Sequence, residues 1–207
     1  ECRHGIGYSR FTSSKNGVKA SVLSFVPLND NCEISQLTLT NGSSEDKKLS
    51  VFSYVEWCLW NADDDMKNFQ RNLSTGEVEV QDSTIYHKTE YRERRNHYAI
   101  YSVNTKIDGF DTSRDAFLGA YRGADSPEAV ENGKCTNSMA SGWSPIASHQ
   151  INVDLAAGET KTFIFVLGYI ENPEDEKWES YGVINKTRAK EMLAKYQTDA
   201  QVDEAFA

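Results

Sequence analysis

The stretch KLSVFSYVEWCLW (residues 48–60) decides the fold. In an extended chain successive side chains point to opposite faces. That alternation places Leu49, Val51, Val55 and Trp57 on one side of a strand and Phe52, Tyr54 and Cys58 on the other. A strand apolar on both sides needs cover on both sides, as in the middle of a sandwich.

Strand signals continue in both directions. VKASVLSFVPL (18–28) alternates small and apolar residues and stops at Pro27. CEISQLTLTNGS (32–43) puts Leu37 and Leu39 on one face and closes in Asn41-Gly42, a strong turn pair. Further strands are predicted over 76–80, 84–91, 97–104, 115–121, 148–155 and 160–170, with AAGE (156–159) as a short connector between the last two. Many short strands with turn signals and no helical alternation give a mainly β fold, a large antiparallel β-sandwich rather than a barrel.

The period changes near the C-terminus. Asn172 is a candidate N-cap with Pro173 at the first helical position. NKTRAKEMLAKYQ (185–197) reads as a helix carrying Ala189, Met192, Leu193 and Tyr196 along one face. The expected organisation is a β-sandwich domain over 1–171 and a short helical tail, the start of a linker, over 172–207. The opening ECRHGIGYSR and the closing DAQVDEAFA, which looks like an unfinished helix, suggest an excised piece of a longer protein.

Composition excludes several functions. The 207-residue chain has 31 acidic and 22 basic residues and a formal charge of −9, the wrong sign for a phosphate-backbone binder. Its basic exception, YRERRNHY (91–98), carries Arg92, Arg94 and Arg95, but Glu90 and Glu93 interrupt the patch, which reads as a solvated strand end. No apolar run approaches the ~18 residues needed to span a bilayer; the longest, FIFVLGYI (163–170), has the length of a buried strand. Cys2, Cys32, Cys58 and Cys135 show no CxxC spacing and no partnering His motif, so a metal cage is not indicated and a reducing, cytoplasmic compartment is favoured.

Beyond the strands, the triplet Asp63-Asp64-Asp65 satisfies a D-x-D pattern, and clustered carboxylates suit hard cations. The pattern is automatic in three consecutive aspartates, however, and the chain lacks the βαβ alternation of nucleotide-binding transferases. A solvated loop is the reading adopted. Glu56, Glu77, Glu79 and Glu90 are eligible by type for a two-carboxylate glycosidase pair, which requires a defined separation in space; they read here as exposed strand and loop acids. His4, His87, His97 and His149 share no spacing, and neither G-x-S-x-G nor H-E-x-x-H occurs. Gly5 and Gly7 mark a bend rather than a dinucleotide fingerprint. Gln70 and Arg71 are different: nothing local calls for burying them, and a donor fork beside an amide suits vicinal hydroxyls. With Tyr54, Trp57, Trp60 and Phe69 nearby, they are the candidate sugar contacts.

RHGIGYSR, FVPL, VEWCLWNADDDMKNFQRNLSTGEVEV, IYHKTEYRERRNHYA, DGFDTSRDAFLGAY, SGWSPIASH and VLGYIENPEDEKW, in this order, resemble the N-terminal β-sandwich domain of the cellobiose phosphorylase family. These are inverting disaccharide phosphorylases, once filed with glycosyltransferase family 36. The resemblance implies a galactose-mutarotase-like supersandwich followed by a helical linker and an (α/α)6 barrel. It implies reversible conversion of cellobiose and inorganic phosphate to α-glucose 1-phosphate and glucose. An Asp in the barrel, absent from this chain, is the general acid; phosphate is the nucleophile, and no metal or other cofactor is implied. It also implies a homodimer in which the loop matching NFQRN, with Gln70 and Arg71, reaches the neighbouring protomer's active site and helps hold the sugar on the leaving-group side. No role is implied for Asp63 to Asp65 or for the arginine run, and neither a nucleic-acid nor a membrane partner is expected. On this reading the fragment alone has no catalytic residue. The alternatives are a free-standing carbohydrate-binding module, which accounts for the sandwich and the aromatic residues without a barrel, and a scaffold used only for dimerisation.

Overall fold

A computed structural model describes residues 1–57, 76–89, 96–142 and 145–207. In chain order the strands are β1 (Cys2–Gly5), β2 (Tyr8–Lys15), β3 (Val18–Phe25), β4 (Cys32–Asn41), β5 (Lys47–Phe52), β6 (Val55–Glu56) and β7 (Gly76–Gln81). They continue with β8 (Thr84–Thr89), β9 (His97–Val103), β10 (Gly109–Ser113), β11 (Pro145–Leu155), β12 (Thr160–Glu171), β13 (Trp178–Ser180) and β14 (Val183–Ile184). Among the described residues, a large antiparallel sheet runs in the order β1-β2-β3-β4-β12-β9-β8-β7. A smaller one runs β10-β11-β5, with β6 also on β11, and β13 with β14 forms a separate ribbon. The fold is an antiparallel sandwich, as the alternation predicts.

Hairpin chemistry sets the register at the β1 side of the large sheet. Asn16 and Gly17 join β2 to β3, both at positive φ (53° and 81°), the backbone that suits the right-handed twist of a hairpin. Asn41-Gly42, by contrast, does not close a hairpin. After β4 the chain crosses to the smaller sheet, and buried Asn41 stitches the crossing by donating to the carbonyls of Glu45, Leu155 and Ala156.

The deciding stretch lies on the edge of the smaller sheet rather than in its middle. Its register on β11 holds from Phe52 opposite Gln150 to Val55 opposite Ala147, with Ser53 and Tyr54 interrupting the strand. Leu49, Val51, Val55 and Trp57 pack into the core between the sheets, with Ile85, Tyr101, Phe163 and Phe165 of the large sheet. Phe52 and Tyr54 face the other way, onto Phe117, Leu118 and Ala129. These last residues come from α1 (Arg114–Leu118) and α2 (Glu128–Glu131), which lie in the excursion between β10 and β11. Two-sided cover is therefore present, supplied on the outer side by helices.

Two local expectations are corrected. Residues 115–121 do not form a strand; Arg114–Leu118 is a single α-helical turn, stopped at Gly119, whose φ of 89° is open chiefly to glycine. Asn172 does not cap a helix either. It is buried and donates to the carbonyl of Asn185, while Pro173 precedes only a 3₁₀ turn at Glu174–Glu176.

The tail is a structural layer. After the β13–β14 ribbon come α3 (Thr187–Leu193), a 3₁₀ turn at Ala194–Tyr196, and α4 (Asp199–Phe206) with a Thr198–Gln201 capping box. Ala189, Met192, Leu193, Tyr196 and Val202 share one core with Ile34, Ile100, Ile164 and Val166 on the outer face of the large sheet. Fully burying each of the valine, leucine, isoleucine and methionine side chains contributes about 1.5–3 kcal/mol. A Cβ added at Gly168 would stand 2.9 Å from Ile100 Cγ1 and 3.1 Å from Met192 Sδ. Gly168→Ala is expected to cost about 1–3 kcal/mol through overpacking, read as a lower chemical-denaturation midpoint; an unchanged midpoint would show that the tail yields freely. Among the described residues no helix is long and apolar enough to cross a membrane.

Candidate functional site

One end of the sandwich collects the chain ends that flank residues 58–75 and 90–95. Glu56 is paired with Ile146 near the start of β11. Gly76 pairs with Thr89, Lys88 with Tyr98, and His97 with Glu171. An isolated bridge joins Glu77 on β7 to Ser141, which precedes β11 in the chain. Gln70, Arg71, Asp63 to Asp65, Cys58, Glu90, Arg92, Arg94 and Arg95 lie outside the described residues. What the structure provides is the frame from which they depart and to which they return.

The departure point is held twice. Ser53 breaks the ladder, donating its N–H to the His149 carbonyl and accepting from the His149 N–H through Oγ. Tyr54 stacks on Phe117 (5.1 Å between centroids) and donates its hydroxyl to Glu56 Oε1 at 2.5 Å. Arg114 Nε donates to the same oxygen at 3.0 Å. Burial, with help from the Glu56 carboxylate, pushes the Tyr54 phenol well above its ordinary value, so it stays a donor. One residue later Trp57 stacks on His87 at 5.2 Å and 24°. His87 pairs with Val78 on β7. The stack thus joins the strand entering residues 58–75 to β8, the hairpin partner of the strand that leaves them, across the gap between sheets.

The return point is held by ions. Glu77 and Glu79 project from β7 beside Lys88 of β8. Lys88 Nζ lies 3.0 Å from Glu77 Oε2 and 3.1 Å from Glu79 Oε1, and donates to the Gly182 carbonyl. Lys186, 4 % exposed, donates to Glu79 Oε2 at 2.6 Å and to the Ile184 carbonyl at 3.1 Å. The Ile184 N–H completes the Glu79 cage at 3.0 Å. Burial alone would raise the Glu79 pKa, but Lys186, the Ile184 amide and Lys88 outweigh it and hold the carboxyl below its ordinary value. Trp178 roofs the network, with Lys177 Nζ 4.2 Å and Lys88 Nζ 5.0 Å from its ring centre.

These arrangements decide what the acids can do. A general acid needs its proton retained near neutral pH, and Glu79 is held ionised. Glu56 accepts from a phenol and a guanidinium, and Glu77 pairs with Lys88. Buried Asp111 accepts from the backbone and hydroxyl groups of Thr136 and Ser138, fixing the excursion before β11. Among the described residues no cluster of His, Cys, Asp or Glu could hold a metal ion. Among the described residues this end is a mounting, in which stacks and ion pairs hold both flanks of residues 58–75.

The sequence matches the Glycosyl hydrolase 94 supersandwich domain across residues 1–199. The chain belongs to that family. Relatives of this supersandwich include N,N'-diacetylchitobiose phosphorylase of Vibrio furnissii, 30 % identical over all of this chain and 24 % of the relative. Solabiose phosphorylase of Paenibacillus borealis is 27 % identical, over all of this chain and 25 % of the relative. The supersandwich therefore spans about a quarter of the length of these curated relatives. A solved structure assigned as a kojibiose phosphorylase from the human microbiome shares the fold, with a TM-score of 0.50 and 12 % identity over 94 % of this chain and 20 % of that one.

Sequence reasoning missed most of the mounting. Arg114 stands just before a segment, 115–121, read as a strand. Lys186 is 107 residues from Glu79, and no local pattern marks it as buried. One signal was available: Glu77 and Glu79 alternate on β7, so both face one side, where a cross-strand lysine can neutralise them.

Proposed function

We propose that this supersandwich is the N-terminal domain of an inverting disaccharide phosphorylase, with cellobiose as substrate. Membership of the Glycosyl hydrolase 94 family across residues 1–199 carries the reading, and relatives named as disaccharide phosphorylases support it. On this proposal residues 1–171 form the sandwich, and 172–207 both cover its large sheet and lead towards a barrel that holds the general acid. Inorganic phosphate attacks the anomeric carbon with inversion, the Asp in the barrel protonates the leaving oxygen, and glucose departs. Gln70 and Arg71 hold that glucose at the active site of the partner protomer in a cytoplasmic homodimer. Support from the frame is indirect: both flanks of residues 58–75 are anchored at one end of the sandwich. Cellobiose is preferred on the motif resemblance; diacetylchitobiose, the same backbone with two acetamido groups, is the competitor.

The test uses the intact parent enzyme. Incubation with cellobiose and phosphate should release glucose 1-phosphate and glucose, with lower kcat/KM for diacetylchitobiose. In the synthetic direction Arg71→Ala should raise the KM for glucose roughly 5- to 150-fold, matching about 1–3 kcal/mol for an unpaired buried polar contact. Phosphate-independent hydrolysis would sink the reaction class, and unchanged glucose kinetics would sink the role of Arg71. Faster turnover of diacetylchitobiose would overturn the substrate alone.

A further inference from the structure

A groove of about 630 Å³ lies between the face of α3, the end of β12 and the loop before β4. That volume is within the roughly 300–1,000 Å³ range of small-molecule sites. Arg188, Glu191, Met192 and Lys195 form its helical wall, one face at the i, i+3, i+4, i+7 spacing. Asp30 and Asn31 stand on one side, and Tyr169 to Pro173 on the other. Its floor is apolar, with buried Ile170 and Met192.

The polar groups converge on it in a particular state. At one end Asp30 is taken by Lys195 (2.8 and 3.0 Å) and by the Tyr196 hydroxyl (2.7 Å). At the other, Arg188 Nη1 donates to the Glu171 carbonyl at 2.9 Å, leaving its remaining N–H groups available. The Tyr169 hydroxyl is bonded to His97 Nδ1. Between these ends Glu191 has no hydrogen-bond or ion-pair partner among the described residues, and the Asn31 amide stands nearby on the rim. Two carboxylates, Asp30 and Glu191, balance two cations, Arg188 and Lys195, while the Glu171 carboxylate lies 3.5 Å from His97 Nε2. An anionic phosphate ester would find no surplus of positive charge there. A neutral polyol needs none: carboxylate, amide and guanidinium together offer acceptors and donors for adjacent hydroxyls, while the floor accepts the C–H face of a ring.

We infer that this groove is a binding site for a neutral pyranose of one or two units, with Glu191, Asn31 and Arg188 contacting its hydroxyls and Met192 and Ile170 its apolar face. The site is built from described residues alone and does not use Gln70 or Arg71.

The experiment titrates the ¹⁵N-labelled 207-residue chain with glucose and with cellobiose and follows amide chemical shifts. Saturable shifts at Asn31, Tyr169, Glu191 and Met192 are expected. Glu191→Gln, an exposed substitution, should weaken binding at least about 5-fold without altering the thermal midpoint. Arg188→Lys, which loses the planar fork, should weaken it as well. Absence of saturable shifts with either sugar overturns the site. So do shifts confined to the end bearing Trp57 and Gly76, or an affinity untouched by both variants. A negative result here leaves the phosphorolysis assay of the intact enzyme standing, so the two readings fail separately.

Discussion

Replacing Glu79 by Ala is expected to destabilise the chain by about 3–5 kcal/mol, the usual cost of stranding a buried charge. Glu79 Oε2 is the acidic partner of Lys186, whose other contacts are the Ile184 carbonyl and the Tyr86 ring, 5.2 Å from Nζ. Without the carboxylate that ammonium stays buried with only neutral partners, a carbonyl and an aromatic ring. Lys88 retains Glu77 at 3.0 Å, so its loss is smaller. The Ile184 amide also loses its acceptor, adding the penalty of an unpaired buried donor. At roughly 2–4 °C per kcal/mol for a chain of this size, the thermal midpoint should fall by roughly 6–20 °C. The double variant Glu79→Leu with Lys186→Met should recover much of the loss, because matched apolar groups replace a buried ion pair at little cost. Denaturant titrations of the single and double variants measure both. If Glu79→Ala loses less than about 1 kcal/mol, the network is a surface feature and the tail is held by apolar packing alone.

That network illustrates where sequence ceases to be informative. Alternation in 48–57 correctly separated the residues facing the large sheet from those facing outward, because the period-2 pattern is a local property of extended chain. What covers each face is not local. The helices over Phe52 and Tyr54 come from 114–131, and apolar Ala116, Phe117 and Leu118 are as compatible with a short strand as with one helical turn. Likewise Tyr98 and Ile100 on one face of β9, with Tyr101 and Val103 beyond them, already required a second layer over the large sheet. The tail helix was legible from Ala189, Met192, Leu193 and Tyr196; its seat on that sheet was not.

The candidate site divides in the same way. Gln70 and Arg71 stood out because their types suited no local structural need, a chemical argument from sequence alone; both lie outside the described residues. The stacks and ion pairs that anchor the flanks join residues tens of positions apart, Trp57 with His87 and Glu79 with Lys186. His149 stands at the start of a predicted strand, where a structural histidine is the ordinary case, and His87 lies within one. Their burial inside the sandwich, against aromatic rings, follows only from the register.

Those two imidazoles should make the chain acid-labile well above the range where carboxylates titrate. His87 is buried against Trp57, and His149, with no exposed surface, lies parallel to Tyr101 at 5.0 Å. His87 Nδ1 and His149 Nε2 have no hydrogen-bond partner among the described residues. Burial disfavours the charged ring and lowers the pKa from 6.5 to about 4 for His87, against a small opposing effect of the Glu77 backbone, and to about 3 for His149. The unfolded chain therefore binds protons more readily than the folded one below pH 6.5. Stability is fully present above that pH and falls as pH drops through 6.5 towards the folded values, levelling off near pH 3. Glu79 and Asp30, held below their ordinary values, add their own loss only below about pH 4.5. The interval from pH 6.5 to 4.5 thus isolates the histidines, at about 2–3 kcal/mol each. Urea titrations across that interval should show the loss in the wild-type chain, half of it in His87→Phe or His149→Phe, and almost none in the double variant. A double variant that loses as much stability as the wild type would place the acid sensitivity elsewhere.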